Sequence, residues 1–320
     1  MLTFIFVFRF LLRMIMRLFY LHRVKIQLLF AGLAFSGPVL SQFAANYLNP
    51  ESITAVSIFR FSDELNENSG MVYFNGLFWT VNDSGGEAAV YGVDDNGTIR
   101  ARVRVDNATN VDWEDIAQDS KYLYVADTGN NGGNRRNLGI YRIPKTLLPK
   151  NGDKVVSAKF MGYTYEDQTD FNHTAHSHPY DCEALIVSND SLYLFTKDWK
   201  NERTALYVLH FSEKESVARR RGEFAAGGLV TGADISPNGK IIALSGYAQM
   251  KPFVWIFKNF KSGKPFSGDS LRIDLGMLFM SQTEGVTVSN EGRILISCEQ
   301  TPLFPAQVFE LVKESGIDGK

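Results

Sequence analysis

Cysteine is nearly absent, with only Cys182 and Cys298 in 320 residues. That excludes a disulfide framework and leaves hydrophobic packing to hold the chain together. Helices are missing as well. After residue 45 no stretch carries the apolar spacing of a helix long enough to bury one face. Glu213–Arg221 comes nearest and is too charged. Doubly wound and barrel α/β folds are thereby excluded. Nucleophile and phosphate-binding signatures are lacking too: there is no Gly-x-Ser-x-Gly elbow, no Gly-rich phosphate loop and no Cys-x-x-Cys pair. Asp127-Thr128-Gly129 matches the aspartic-protease triplet, but one copy without a second carboxylate-bearing copy makes no dyad.

Acid is absent from residues 1–41, which carry Arg9, Arg13, Arg17, Arg23 and Lys25. Taking those five from the 33 basic residues leaves 28 against 35 acids, a net of −7 for the rest of the chain. Such a body lacks the basic footprint that nucleic-acid binding needs. The basic stretch runs into the apolar segment 26–40 and then Val39-Leu40-Ser41, the order of a secretory signal peptide cut before Gln42. The other reading is an uncleaved anchor, since the uncharged run 26–50 is long enough to span a membrane. The expected organisation is a signal segment at 1–41, a domain at 52–314 and a tail at 315–320. Export is expected to place the protein in a periplasm or outside the cell, as a monomer that meets a membrane only if the anchor is retained.

What is abundant is β-forming and turn-forming sequence: 24 Phe, 13 Tyr and 27 Gly. It is organised as a repeat. Residues 110–131, NVDWEDIAQDSKYLYVADTGNN, read as acid, apolar strand, polar turn, apolar strand, polar exit. Residues 179–199 repeat the phrase with Glu183, Leu185 and Leu192 where the first has Glu114, Ile116 and Leu123. Looser copies start near Ser69, Asp234 and Glu284. The strand anchors Met71, Ile116, Leu185, Ile235 and Val286 are 45, 69, 50 and 51 residues apart. A period near fifty with four short strands per unit predicts a β-propeller.

Five four-stranded blades are expected, and the 69-residue interval leaves room for a sixth. Outer strands are expected at Leu138–Ile143 and Val156–Tyr165 in the second blade, and at Phe253–Phe257 and Leu271–Leu275 in the fourth. Gln307–Val312 gives the last blade a third strand. Ile53–Phe61 has no other partner and is expected to complete that blade, closing the ring without an open edge.

In this architecture the starts of the inner strands meet around one channel mouth. Ser69, Glu114, Glu183, Asp234 and Glu284 are expected there, with Asn82, Asp83, Asp127, Lys197, Asp198 and Glu299 nearby. Convergent carboxylates can hold a hard divalent cation, calcium foremost. The alternative is that each accepts backbone N–H groups and orders the blades. The candidate metal ligands are Glu114, Glu183, Glu284, Asp234 and Asp127. His173, His176 and His178 stand on a loop before Asp181-Cys182-Glu183, with His178 the one expected to face inward. Cys182 and Cys298 fall two blades apart and are expected as free thiols.

The phrases NDSGGE (82–87), DWEDIA (112–117), DTGNN (127–131), IYRIP (140–144), DCEAL (181–185) and TGADISPNGK (231–240) together resemble secreted bacterial β-propeller proteins near the TolB-like and NHL-type groups. The strand starts are also similar to those of phytase-like and SMP-30-type propellers. The resemblance implies a channel calcium or other divalent ion held by Glu114, Glu183 and Glu284, with Ser69 and Asp234 departing from the pattern. Two functions are compatible with it. One is a secreted binding or scaffold module that takes a ligand or protein at the channel mouth. The other is a calcium-dependent hydrolase, phosphoesterase- or lactonase-like, with Glu114, Glu183 or His178 as catalytic candidates.

Overall fold

The computed structural model describes residues 53–211 and 217–313. The expectations for the signal segment and the tail lie outside these residues, as does the first part of 213–221, whose remainder belongs to a strand. Among the described residues the chain forms five β-sheets arranged as the blades of a propeller. The inner strands are Asn68–Phe74, Trp113–Gln118, Cys182–Ser188, Leu229–Ile235 and Thr283–Val288. Each pairs antiparallel with the strand that follows it. No described helix is long and apolar enough to cross a membrane.

The side chains explain the stacking. Strand residues alternate between the two faces of a blade, and both faces are covered by neighbouring blades. In the first blade Val72, Trp79 and Val90 pack toward Trp113, Ile116 and Tyr141 of the second. Phe78, Tyr91 and Val93 of the same sheet pack the other way, onto Phe59, Leu295 and Val308 of the fifth. The remaining three interfaces are filled in the same manner. Fully burying one such aromatic or aliphatic side chain stabilises by about 1.5–3 kcal/mol.

The ring closes with Ile53–Arg60, which pairs antiparallel with Gln307–Lys313, from Ile53 opposite Lys313 to Arg60 opposite Gln307. The fifth blade is therefore completed by the start of the domain. The fourth blade has its outer strands at Lys251–Lys258 and Asp269–Asp274.

The long interval holds no sixth blade. The expected strand Val156–Tyr165 is instead divided among three sheets. Gly152–Val156 runs parallel to Ile99–Val105 on the outside of the first blade. Lys159–Gly162 is the outer strand of the second, paired with Gly139–Pro144. Thr164–Tyr165 pairs parallel with Val217–Phe224 of the third. Each short segment covers an edge that would otherwise present unpaired backbone groups. The rest of the interval, from Glu166 to Asp181, is the loop that leads to the third inner strand.

Candidate functional site at the channel mouth

Every inner strand carries a β-bulge near its start. The irregularity falls at Gly70, Glu114, Glu183, Thr231 and Glu284, with Gly285 also inserted in the last. A bulge re-aims one side chain while pairing resumes beyond it. Glu114, Glu183 and Glu284 are thus equivalent, as the repeat implied.

The first and fourth blades differ from expectation by their register. Gly70, not Ser69, is the first blade's equivalent, and its φ of +66° suits glycine. Ser69 instead donates its hydroxyl to the Glu114 carbonyl of the next blade. In the fourth blade the equivalent is Thr231, which donates to the Thr283 carbonyl.

Asp234 is not at this mouth. It lies at the far end of the inner strands and accepts Thr287 Oγ1 at 2.9 Å and Val288 N–H at 2.8 Å. Burial pushes its pKa up to about 7. Asp115 performs the same work deeper in the channel. Its Oδ2 accepts Leu185 N–H at 2.8 Å, tying the second inner strand to the third, and its Oδ1 accepts Ile116 N–H. These two acids are backbone staples.

The acids of the mouth are different. Glu114 is 5% exposed and Glu183 is 3% exposed. Together with Asp181, their carboxylate oxygens lie within 4.8 Å of one another. Asp83, Asp112 and Glu114 form a second such group. Asp181 is 0% exposed; its Oδ1 accepts Asn130 N–H at 2.6 Å, while Oδ2 meets no N–H donor and has the Glu183 carboxyl beside it. A Cβ at Gly129 would overlap Glu114 Oε1 and Asp112 Oδ2, so a larger residue there would displace both carboxylates.

The electrostatics follow from crowding. Burial, then Glu183 and Asp83, hold the Glu114 carboxyl well above its ordinary range. Burial likewise raises Glu183 to about 7 and Asp83 and Asp112 to about 6. Glu284 is held well above its usual value and Glu299 is raised to about 7, burial leading in both. Lys197 donates to Glu183 Oε2 at 2.9 Å. Burial would lower its ammonium, but Glu183, with Tyr247, Glu284 and Glu114, more than offsets this and keeps it charged. The Lys197 Nζ lies 5.0 Å from the Trp199 ring centroid and 5.8 Å from that of Tyr247.

Asp127 is an ion-pair partner here. It accepts Arg135 at 2.7 Å and the Asp112 N–H at 3.2 Å, and stands outside both carboxylate groups. Asp198 caps its own turn, accepting Lys200 and Asn201 N–H.

His178 is buried, but both ring nitrogens are engaged. Nε2 donates to the Asn131 carbonyl at 3.1 Å, and Nδ1 accepts the Tyr180 N–H at 3.2 Å. That pair of bonds selects the neutral ring with the proton on Nε2. Burial lowers the His178 pKa, partly opposed by the Asn131 bond. His176 stacks on Trp199 at 4.3 Å and meets Asn131 Oδ1 at 3.0 Å. The histidines thus lock the 166–181 loop against Asn130–Gly133, which fixes Asp181. His178 has no free nitrogen to act as a base or a ligand. Cys182 and Cys298 are buried free thiols, each pushed up to about 12 by burial.

Sequence reasoning missed Asp181 and Asp112 as members of the site. A signal existed: Asp112/Glu114 and Asp181/Glu183 repeat the same two-residue spacing. Arg135 was missed too, and no pattern marked it.

No family model matches the chain, and no curated protein does. Among solved structures it is similar to the PQQ-bound aldose sugar dehydrogenase of Streptomyces coelicolor, at 12% identity and a TM-score of 0.46 over 82% of this chain and 98% of that one. It is also similar to an exo-β-1,3-galactanase of Clostridium thermocellum, at 13% identity and 0.47 over 81% of this chain and 62% of that one. Hydrazine synthase of Kuenenia stuttgartiensis aligns at 12% identity and 0.36, over 88% and 67% respectively. At these identities the activities named are those proteins' own.

Proposed function

We propose that this propeller is an exported binding module of the TolB-like and NHL-like kind. Its acidic mouth holds one divalent cation of the calcium class between Glu114, Asp181 and Glu183, and the cation anchors an oxygen-rich ligand or a protein. Asp181 Oδ2 carries this reading, because it is fully buried, meets no N–H donor and has only the Glu183 and Glu114 carboxyls beside it. A cation would stand in for the missing donor and allow all three groups to ionise. The donors are carboxylate oxygens, which suit calcium, magnesium or manganese better than zinc or copper. Lys197 occupies Glu183 in competition with the cation, so binding would release its ammonium toward Trp199 and the mouth.

The test is metal content after purification, followed by melting with chelator and with added calcium. Calcium at a hundred times its Kd stabilises by about 2.7 kcal/mol, or roughly 5–10 °C for a domain of this size. Trp199 fluorescence should change on binding. No retained metal, together with an unchanged melt and spectrum, would defeat the reading.

A hydrolase reading draws on one observation. Glu114 is a buried carboxylate beside Asp112, Asp181 and Glu183, placed where a general base would stand next to a metal-bound water. On that reading Glu114→Gln abolishes esterase or phosphatase turnover measured with calcium present. Unchanged turnover removes Glu114 from the chemistry.

A further inference from the structure

The opposite end of the channel holds a cavity of about 530 Å³ that the acidic mouth does not use. Its walls come from inner-hairpin turns and from the closing strand. Ile58, Tyr73, Phe78, Ile235, Val288 and Leu295 supply an apolar lining. Tyr73 is 47% exposed and Ile58 39%, so two exposed large apolar side chains stand at this cavity. The Tyr73 ring is braced against Phe78, with centroids 4.9 Å apart, and keeps a face available.

The polar lining is unbalanced. Asp95 and Glu291 line it with one cation, Arg293, while the Asp234 carboxylate is taken up by Thr287 and the Val288 N–H. The guanidinium is already engaged by Glu310, outside the cavity, through Nε at 2.7 Å and Nη2 at 3.0 Å. The Gln118 amide nitrogen donates to the Tyr73 carbonyl, and its oxygen accepts Lys145. Asn290 Oδ1 accepts Asn238 N–H, and Ser289 Oγ accepts Glu291 and Arg293 N–H. The Asp95 carboxylate is exposed, and Arg293 is the cation whose charge it meets.

We propose that this cavity is a second binding site, independent of the acidic mouth, for a small amphipathic amine: an apolar or aromatic body against Tyr73 and Ile58, with a protonated nitrogen toward Asp95 and Glu291. The volume lies within the range of small-molecule sites. A cation over an exposed tyrosine face gains about 0.5–1 kcal/mol beyond its ion pairing, and an anion would meet the Asp95 and Glu291 carboxylates. Selectivity for charge sign therefore follows from the lining itself.

The probes are tryptamine and indole-3-acetate, which share a ring and differ in the sign of the side-chain charge. Each is titrated into the full chain by calorimetry. Tryptamine should bind at least tenfold more tightly than indole-3-acetate. Tyr73→Ala and Asp95→Asn should each weaken tryptamine at least threefold without shifting the melt, because both residues are exposed. Equal affinity for the two probes, no binding of either at millimolar concentration, or unchanged affinity in both variants would overturn the proposal. Loss of tryptamine binding in Glu183→Gln but not in Tyr73→Ala would overturn it as well, by placing the amine at the acidic mouth. Failure of calcium to bind leaves this experiment intact, since no residue is shared between the two sites.

Discussion

Asp115 and Glu114 are adjacent in the chain, equally acidic and both buried, yet the structure puts them to opposite uses. Asp115 accepts backbone N–H groups from its own strand and from the third blade, as Asp234 does from the fifth. Glu114 has other carboxylates as its nearest charged neighbours. A buried acid with backbone donors is part of the frame. A buried acid among acids is a candidate site, where a proton or a cation would relieve the repulsion.

Breaking the frame should have the largest effect. Asp115→Ala leaves two backbone N–H groups unpaired in the channel, at about 1–3 kcal/mol each. Urea unfolding should show a loss of about 3 kcal/mol or more, whether or not calcium is present. A loss below 1 kcal/mol would mean that the staple is not structural.

The mouth should respond less. Glu183→Gln removes a carboxylate that burial holds up to about 7 and leaves Lys197 an amide oxygen with Glu284 and Glu114 still facing its ammonium, so chelator-treated protein at pH 8 should lose clearly less stability than Asp115→Ala does. Calcium affinity should fall at least tenfold, about 1.4 kcal/mol. Equal stability loss in Glu183→Gln and Asp115→Ala would erase the distinction between frame and site.

The distinction sharpens with pH. Asp83 and Asp112 are raised to about 6, and Glu183 and Glu299 to about 7, from ordinary values of 3.8 for Asp and 4.5 for Glu. Groups raised in the folded state stabilise it fully below their ordinary pKa and lose that contribution as pH climbs through the raised value. Without divalent cations the melting temperature should therefore fall between about pH 4 and pH 7, by roughly 5 °C if the loss is about 2 kcal/mol. Calcium should flatten the fall at the upper end, where carboxylates are free of protons. A melt that rises across that window in chelator would contradict the crowding.

The smallest effect is expected at Asp127, whose ion pair with Arg135 is 3% exposed on the acid's side and 12% on the arginine's. Asp127→Asn keeps a hydrogen-bond acceptor for Arg135 and should cost about 1 kcal/mol in urea, with calcium affinity changed less than threefold. A larger loss of affinity would return Asp127 to the ligand set.

Much of this fold was legible because strand alternation and turn residues are local properties of sequence. The five inner hairpins, the closing strand Ile53–Arg60 and the convergence of Glu114, Glu183 and Glu284 all followed from a period near fifty. Two kinds of feature did not. The bulges shift register by one residue, and in the loose first and fourth copies nothing marks whether Ser69 or Gly70, Thr231 or Asp234, takes the bulged place. The stretch 152–165 reads as ordinary β sequence, and its partition among three blades depends on which edges stand open beside it. Asp181 precedes its strand by one residue and looked like a neighbour of Glu183 until the Asn130 loop pinned one of its oxygens and left the other without an N–H donor.

Periodicity and composition sufficed for the blades, their number within one, and the acidic character of the mouth. Those depend on residue type and spacing alone. Whether a given acid is a staple, an ion-pair partner or a member of the carboxylate cluster depends on which donors reach it. Those donors come from other blades, often fifty or more residues away, and the set is complete only after the ring has closed.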